Sequence, residues 1–100
     1  MLYILTGDDV PDSAELRANV RAAHLARLDA LQAEGRLVLA GPIPSIDALD
    51  PGPAGFAGSL ILAEFDSISE AEAWLAEDPY MTAGVFATTR VRPFKQVFPR

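Results

Sequence analysis

The order of apolar and amphipathic segments constrains the fold of this chain most strongly. Residues 2–7 (LYILTG) and 59–65 (SLILAEF) are short apolar runs of the kind that form buried strands. A helical pattern follows each run, and a further strand-like run comes next, at 36–43 (RLVLAGPI) and at 86–91. Because β-α-β crossovers are right-handed, two such units in succession predict a ferredoxin-like α+β fold. We expect a βαββαβ order, with an antiparallel four-stranded sheet and two helices on one face.

Capping signals place the two helices. The first is predicted to begin near Ser13 and to run to Glu34, just before a glycine. The second has a capping-box spacing that starts at Ser69. It is predicted to close at Asp78, because Pro79 disfavours helical geometry in the residue before it.

The strands differ in their expected positions. The third is apolar enough to be central, whereas Pro93 predicts an edge or a bulge for the last strand. Pro42 and Pro44 are predicted to end the second strand. The strands hold too many apolar residues for one sheet face to remain in water. We therefore expect a homodimer, or a higher oligomer, in which two sheets pack face to face as a dimeric α+β barrel.

Composition narrows the possible functions. One hundred residues suit a single domain spanning 1–100. A net charge of -6 with a single lysine argues against nucleic-acid binding. The absence of cysteine excludes disulfides and thiolate chemistry. The apolar N-terminal run is too short for a signal peptide or a membrane span, so we expect a cytoplasmic protein with no membrane partner.

The only histidine, His24, lies on an apolar stripe of the first predicted helix. At about 100° per residue, that stripe contains Leu16, Val20, His24, Leu28 and Leu31. One interpretation is a core histidine whose ring nitrogens are satisfied. The other is an acid-base residue, because Asp78 ends the second helix and both helices share a sheet face. Asp78 would then orient His24 for proton transfer. As a residue before proline, Asp78 is also a common turn former.

Several short motifs resemble those of the YciI family in order and spacing. They are R-x-x-H-L-x-R-L at 21–28, L-A-G-P at 39–42, GF-x-GS at 55–59, DPY at 78–80 followed by AGV at 83–85, and PFK at 93–95. The resemblance covers nearly the whole chain. Two departures from the family pattern are Ala22, where many relatives have proline, and Ala57, where many have threonine.

This resemblance implies a dimeric ferredoxin-like α+β barrel with an active site centred on a histidine and an aspartate, here His24 and Asp78. It also implies relatives that eliminate HCl from a chlorinated hydroxyhydroquinone, and more distant fold-mates such as muconolactone isomerase. Most members have no established substrate. Because a shared fold does not carry function, the histidine and aspartate remain candidates.

Four further residues are candidates for substrate binding. Arg21, one turn before His24, is placed to bind a carboxylate or phenolate oxygen. Backbone amides near Gly41 and Ser59 are candidates for stabilising an oxyanion, and Tyr80 for capping the pocket. Arg21, Ser59 and Tyr80 also have structural interpretations: a solvated helix arginine, a strand-edge hydroxyl and an amphipathic core tyrosine, respectively. The long Pro- and Gly-rich segment 41–58 is a candidate lid.

Metal and cofactor chemistry have little support in the sequence. One histidine and no cysteine leave only carboxylates to complete a metal site, and haem ligation by His24 would compete with its aspartate partner. We therefore expect no metal and no cofactor. The leading hypothesis is a cofactor-independent lyase- or isomerase-type enzyme acting on a small organic molecule, aromatic or anionic. The alternatives are a non-catalytic ligand-binding or accessory dimer, and a structural dimer in which His24 is simply core.

Overall fold

The computed structural model describes residues 1–100. Its strands and two longer helices follow the predicted βαββαβ order, with one additional short helix before the last strand. The strands are β1 (Leu2–Asp9), β2 (Leu37–Pro44), β3 (Phe56–Glu64) and β4 (Phe86–Phe94), and the helices are α1 (Ala14–Ala33), α2 (Ile68–Ala76) and α3 (Pro79–Thr82). A single 3₁₀ turn, Gly52–Ala54, lies in the connection between β2 and β3. None of the helices combines the length and the apolar character needed to cross a bilayer.

The sheet has the order β2-β3-β1-β4, and all neighbours are antiparallel. The predicted central position of β3 is confirmed, and β4 is an edge strand that accommodates Pro93. The prediction that prolines end the second strand is wrong for Pro42, which lies inside β2, and agrees with the structure for Pro44, where β2 ends. β2 is the other edge of the sheet, where a residue without an N–H interrupts the hydrogen-bonding ladder least.

The helices α1 and α2 pack on the same face of the sheet. Side chains two residues apart on a strand point to one face, and on β1 and β3 these alternating residues form a buried cluster with the helices. The cluster contains Tyr3, Leu5, Ile61, Ala63 and Phe65 from the sheet side, Leu31 from α1, and Ala71 and Leu75 from α2. The predicted α+β ferredoxin-like arrangement is therefore confirmed.

The opposite sheet face is apolar and carries no helix. Ile4 pairs with Leu62 across β1 and β3, and Leu62 pairs with Leu39 on β2, so these three side chains share this face. Leu39 is 51% exposed and Ile43 is 43% exposed. Contiguous apolar surfaces of this kind mark interaction sites.

The buried line of α1 differs from the predicted stripe. Its buried residues are Arg17, His24 and Leu31, spaced seven apart, whereas Leu16 is 36% exposed. Arg17 is not among the residues of the predicted stripe. In the structure its guanidinium pairs with the buried carboxylate of Asp9, which offsets the cost of burying the charge.

The start of α2 also differs from its prediction. Ser67 is the N-cap, and its Oγ accepts a hydrogen bond of 3.1 Å from the Glu70 N–H, whereas Ser69 lies inside the helix. Both serines precede an acidic residue at suitable spacing, so the capping-box pattern fitted two registers.

A short helix that the sequence did not predict follows α2. The α2 helix ends at Ala76, before the expected stop, and α3 starts at Pro79 with Asp78 as its N-cap. Proline is favoured at the first position of a helix, where its missing N–H costs nothing. The same Asp-Pro pair that predicted a helix end thus begins a new helix.

Replacing Gly58 by alanine is expected to destabilise the protein. The added Cβ would collide with the carbonyl oxygen of Gly7 on the neighbouring strand. We expect a loss of about 1–3 kcal/mol in the free energy of unfolding, measured by urea denaturation. Gly41→Ala is the matched control, because nothing lies within 4 Å of its added Cβ. Equal stability of the two variants would contradict this strand spacing.

Candidate active site

His24 and Asp78 meet between α1 and the start of α3. The Nδ1 atom of His24 lies 2.8 Å from Oδ2 of Asp78. The aspartate side chain is fully buried, and His24 is 6% exposed. The structure therefore brings together the two residues that the sequence could place only on neighbouring helices.

Three donors converge on the Asp78 carboxylate. Besides His24, the backbone N–H of Tyr80 donates to Oδ2 at 3.0 Å, and Nη1 of Arg27 donates to Oδ1 at 2.9 Å. Arg27 also lies over the ring of Trp74, 4.2 Å from its centroid. A carboxylate in this setting accepts hydrogen bonds only, so the proton of the neutral imidazole lies on Nδ1 of His24.

The second ring nitrogen of His24 is free. Nε2 makes no hydrogen bond within the protein. Every buried side-chain nitrogen and oxygen in the protein has a hydrogen-bond partner, so an unpartnered atom such as Nε2 is not buried. Nε2 is therefore accessible, through the cavity that His24 lines. An imidazole fixed on one side by a carboxylate and open on the other has the arrangement of a general base.

The cavity lies between α1 and the β2–β3 side of the sheet and has a volume of about 490 Å³. Leu25 and Leu28 of α1 and Ile61 of β3 line it with aliphatic surface. Gly52 and Gly55, from the segment predicted as a lid, also line it. This volume and mixed lining are typical of a site for a small organic molecule.

Tyr80 forms an aromatic wall beside the histidine. Its ring stacks on that of His24, with centroids 3.9 Å apart and planes within 10°. Burial raises the pKa of the Tyr80 hydroxyl above the ordinary value of 10.0, while the positive charges of Arg17 and Arg21 partly offset this rise. The phenol is thus neutral at physiological pH and can donate a hydrogen bond.

A second buried ion pair lies beside the cavity. Nε and Nη2 of Arg17 donate to the two carboxylate oxygens of Asp9 at 2.6 and 2.8 Å. Nη2 also donates to the Gly58 carbonyl oxygen at 2.8 Å and to Ser59 Oγ at 2.9 Å, and the Ser13 hydroxyl donates to Asp9. This bidentate pair holds the Arg17 guanidinium in one orientation.

Each of the four predicted substrate-binding residues lines the cavity together with His24. They are Arg21, Gly41, Ser59 and Tyr80. Asp78 does not line it and lies behind the histidine. Sequence reasoning missed Asp9 and the ion pairs that Arg17 and Arg27 make with buried carboxylates. The spacing of Arg17, Arg21 and His24 by four and three residues was the available signal, since it places them on one face of α1.

Comparison with known proteins agrees with the motifs described above. The model of the YCII-related domain family matches residues 1–95. This chain belongs to the YCII family. It is 54% identical over 98 residues to protein YciI of Escherichia coli, which covers 98% of this chain and 100% of that protein. An uncharacterized YCII relative from Haemophilus influenzae is 50% identical over 98 residues, again covering 98% of this chain and 100% of the relative.

Among solved structures, a similar fold occurs in a dehydrochlorinase. The 5-chloro-2-hydroxyhydroquinone dehydrochlorinase TftG of Burkholderia phenoliruptrix, in complex with 2,5-dihydroxybenzoquinone, is 31% identical and superposes with a TM-score of 0.82. The match covers 95% of this YCII chain and 94% of TftG. A protein from Agrobacterium tumefaciens, 13% identical with a TM-score of 0.54 over 99% of this chain and 96% of that one, shares the fold alone.

The ionisation of Tyr80 offers a test of its environment. The native state holds the phenolic proton more tightly than the unfolded chain does, because the pKa of Tyr80 is raised. The protonated phenol therefore contributes to the free energy of unfolding. This contribution is complete below pH about 10 and is lost as the pH rises through the native pKa. In an alkaline absorbance titration, the difference between wild type and Tyr80→Phe should have a midpoint above 10.0. A midpoint at or below this value would contradict the buried position.

Proposed function

We propose that this YCII protein is an enzyme that moves a proton on a small organic molecule bound in the cavity, with His24 as the acid-base residue. The observation that carries the proposal is the His24–Asp78 contact of 2.8 Å, with Nε2 left open to a cavity of about 490 Å³. Asp78 is a positioning residue, since it acts through His24.

The proposed chemistry uses the two ring nitrogens in different roles. Nε2 removes a proton from a C–H or O–H group of the substrate, and Asp78 stabilises the imidazolium through the Nδ1 hydrogen bond. In an elimination, the electron pair of the bond to the removed hydrogen forms a double bond. The leaving group departs with the electron pair of the bond that joined it to the substrate. In an isomerisation, Nε2 returns the proton to another atom of the substrate. Neither route draws on a cofactor.

The substrate class follows from TftG and from the cavity wall. TftG removes HCl from a hydroxylated aromatic compound and is 31% identical to this chain. The Tyr80 ring and the Phe56 side chain give the cavity planar surfaces suited to a similar ring. We propose a hydroxylated aromatic or quinonoid substrate, with Arg21, Ser59 and the backbone near Gly41 contacting its oxygens.

We also propose that two copies pack through the open sheet face to form a homodimer. Leu39 and Ile43 are about half exposed there, at 51% and 43%, and Ile4 and Leu60 are partly buried neighbours. A second copy of the same face would cover these side chains in a self-complementary contact.

Loss of either member of the pair should reduce turnover. We expect His24→Asn and Asp78→Asn each to lower the rate of chloride release from a chlorinated hydroxyhydroquinone by about 10²–10⁴-fold. Asp66→Asn, on an exposed residue, is the matched charge control and should keep the wild-type rate. Circular dichroism and native mass would show that each variant remains folded.

The same assay separates the enzyme from a binding module. Full turnover in His24→Asn would overturn the proposal. A protein that binds the compound without releasing chloride, and whose Asp78→Asn variant only binds it more weakly, would favour a ligand-binding role.

A charge on the open face should break the proposed dimer. Leu39→Glu is expected to give a monomer in analytical ultracentrifugation, because burying unpaired carboxylates in an apolar interface is costly. Leu49→Glu is the control, since Leu49 is 99% exposed in the β2–β3 connection and should leave the dimer intact. A monomeric wild type, or an unchanged mass for Leu39→Glu, would contradict this interface.

A further inference from the structure

The residues that line the cavity carry positive charge only. The chain as a whole is acidic, with 14 Asp and Glu residues against 8 Lys and Arg. None of those carboxylates lines the cavity, whereas Arg17 and Arg21 both do. This separation of charge distinguishes the cavity from the rest of the acidic protein.

A buried carboxylate behind the cavity neutralises one of these two positive charges. Asp9 pairs with Arg17, and Asp78 pairs with Arg27 and hydrogen-bonds to Nδ1 of His24. Arg21 has no carboxylate within ion-pair distance. One positive charge at the cavity is therefore left without a partner in the protein.

The site also holds hydrogen-bond donors that the protein does not use. The Tyr80 hydroxyl, which lies within hydrogen-bonding reach of Arg17, is neutral and can donate to a ligand in the cavity that it lines. Ser59 Oγ accepts a bond from Arg17, which leaves its own O–H free to donate. Together with Arg21, these donors can satisfy the several lone pairs of an anionic oxygen.

These donors are arranged along the same helix face as the histidine. Arg17, Arg21 and His24 follow one another at intervals of four and three residues on α1. The distance from Arg17 to His24 along the helix axis is about 10 Å. A small molecule whose charged oxygen lies at the arginines would thus extend towards the free Nε2 atom. Between the two ends, aliphatic side chains and the Tyr80 ring supply apolar contact.

We propose that the cavity binds an organic monoanion, whose charged oxygen is held by Arg21 and by the Asp9-oriented guanidinium of Arg17. Its charge of minus one balances the single unpaired arginine. The orientation towards His24 rests on the proposed function, whereas the preference for a monoanion concerns binding alone. A carboxylate and a phenolate share this chemistry.

Matched small probes test the charge preference. The affinities of benzoate and of its neutral analogue benzamide are measured for the intact protein by two-dimensional NMR titration. Benzoate should bind at least about tenfold more tightly, as expected for a charge-assisted hydrogen bond. Phthalate, a dianion, should bind no more tightly than benzoate. The ionised form of 4-nitrophenol, as a further probe, distinguishes a phenolate site from a carboxylate site.

Charge variants identify the residues responsible. Arg21→Gln should remove most of the preference for benzoate over benzamide, whereas Arg100→Gln, which deletes the same charge from the exposed C-terminus, should retain it. Arg17→Gln alone would leave Asp9 unpaired and could unfold the chain. The double variant Arg17→Gln with Asp9→Asn keeps the buried site neutral, and it should also weaken benzoate binding while leaving benzamide unaffected.

Equal binding of benzoate and benzamide would overturn the inference, as would binding of neither at their solubility limits. An intact preference in both arginine variants would overturn it as well. His24→Asn should retain the preference for benzoate. If it does so and chloride release also persists, then the proposed acid-base function fails while the anion site stands.

Discussion

The position of α1 over the sheet depends on two buried carboxylates that need cationic or N–H partners. The side chains of Asp9 and Asp78 are 2% and 0% exposed, and Arg17, His24 and Arg27 of α1 contact them. Removing one partner of a buried ion pair costs about 3–5 kcal/mol, because the remaining charge stays out of water. These contacts therefore fix the helix at both ends of the cavity, and with it the direction of the free Nε2 atom and of the guanidinium.

Much of the fold could be predicted from local patterns. The apolar run at 59–65 indicated a central strand, and β3 lies between β2 and β1 in the sheet. Pro93 indicated an edge, which β4 occupies. The motifs around His24 and Asp78 indicated the pair, and two helices on one sheet face provided the reason for their proximity. These features follow from periodicity and from residue types whose effects are local.

The remaining features depend on contacts between distant parts of the chain. Arg17 is buried only because Asp9, at the end of β1, accepts its hydrogen bonds, and no periodicity rule places an arginine in a core. Asp78 both caps α3 and contacts His24. From the sequence, an aspartate before a proline was interpreted as a turn former, so the start of α3 was not predicted. The structure likewise shows which arginines of α1 are neutralised: Arg17 and Arg27 are paired with carboxylates, and Arg21 is not. Sequence spacing alone cannot show which charges are neutralised.

The most direct test of the central claim is the tautomer of His24, read from the ring ¹⁵N shifts in a long-range ¹H–¹⁵N correlation spectrum at a pH where the ring is neutral. With Nδ1 donating to Asp78, we predict that the proton resides on Nδ1 and that Nε2 is unprotonated and able to act as a base. In Asp78→Asn this preference should weaken. A wild-type proton on Nε2 would mean that the nitrogen facing the cavity is a donor, and it would contradict the acid-base role.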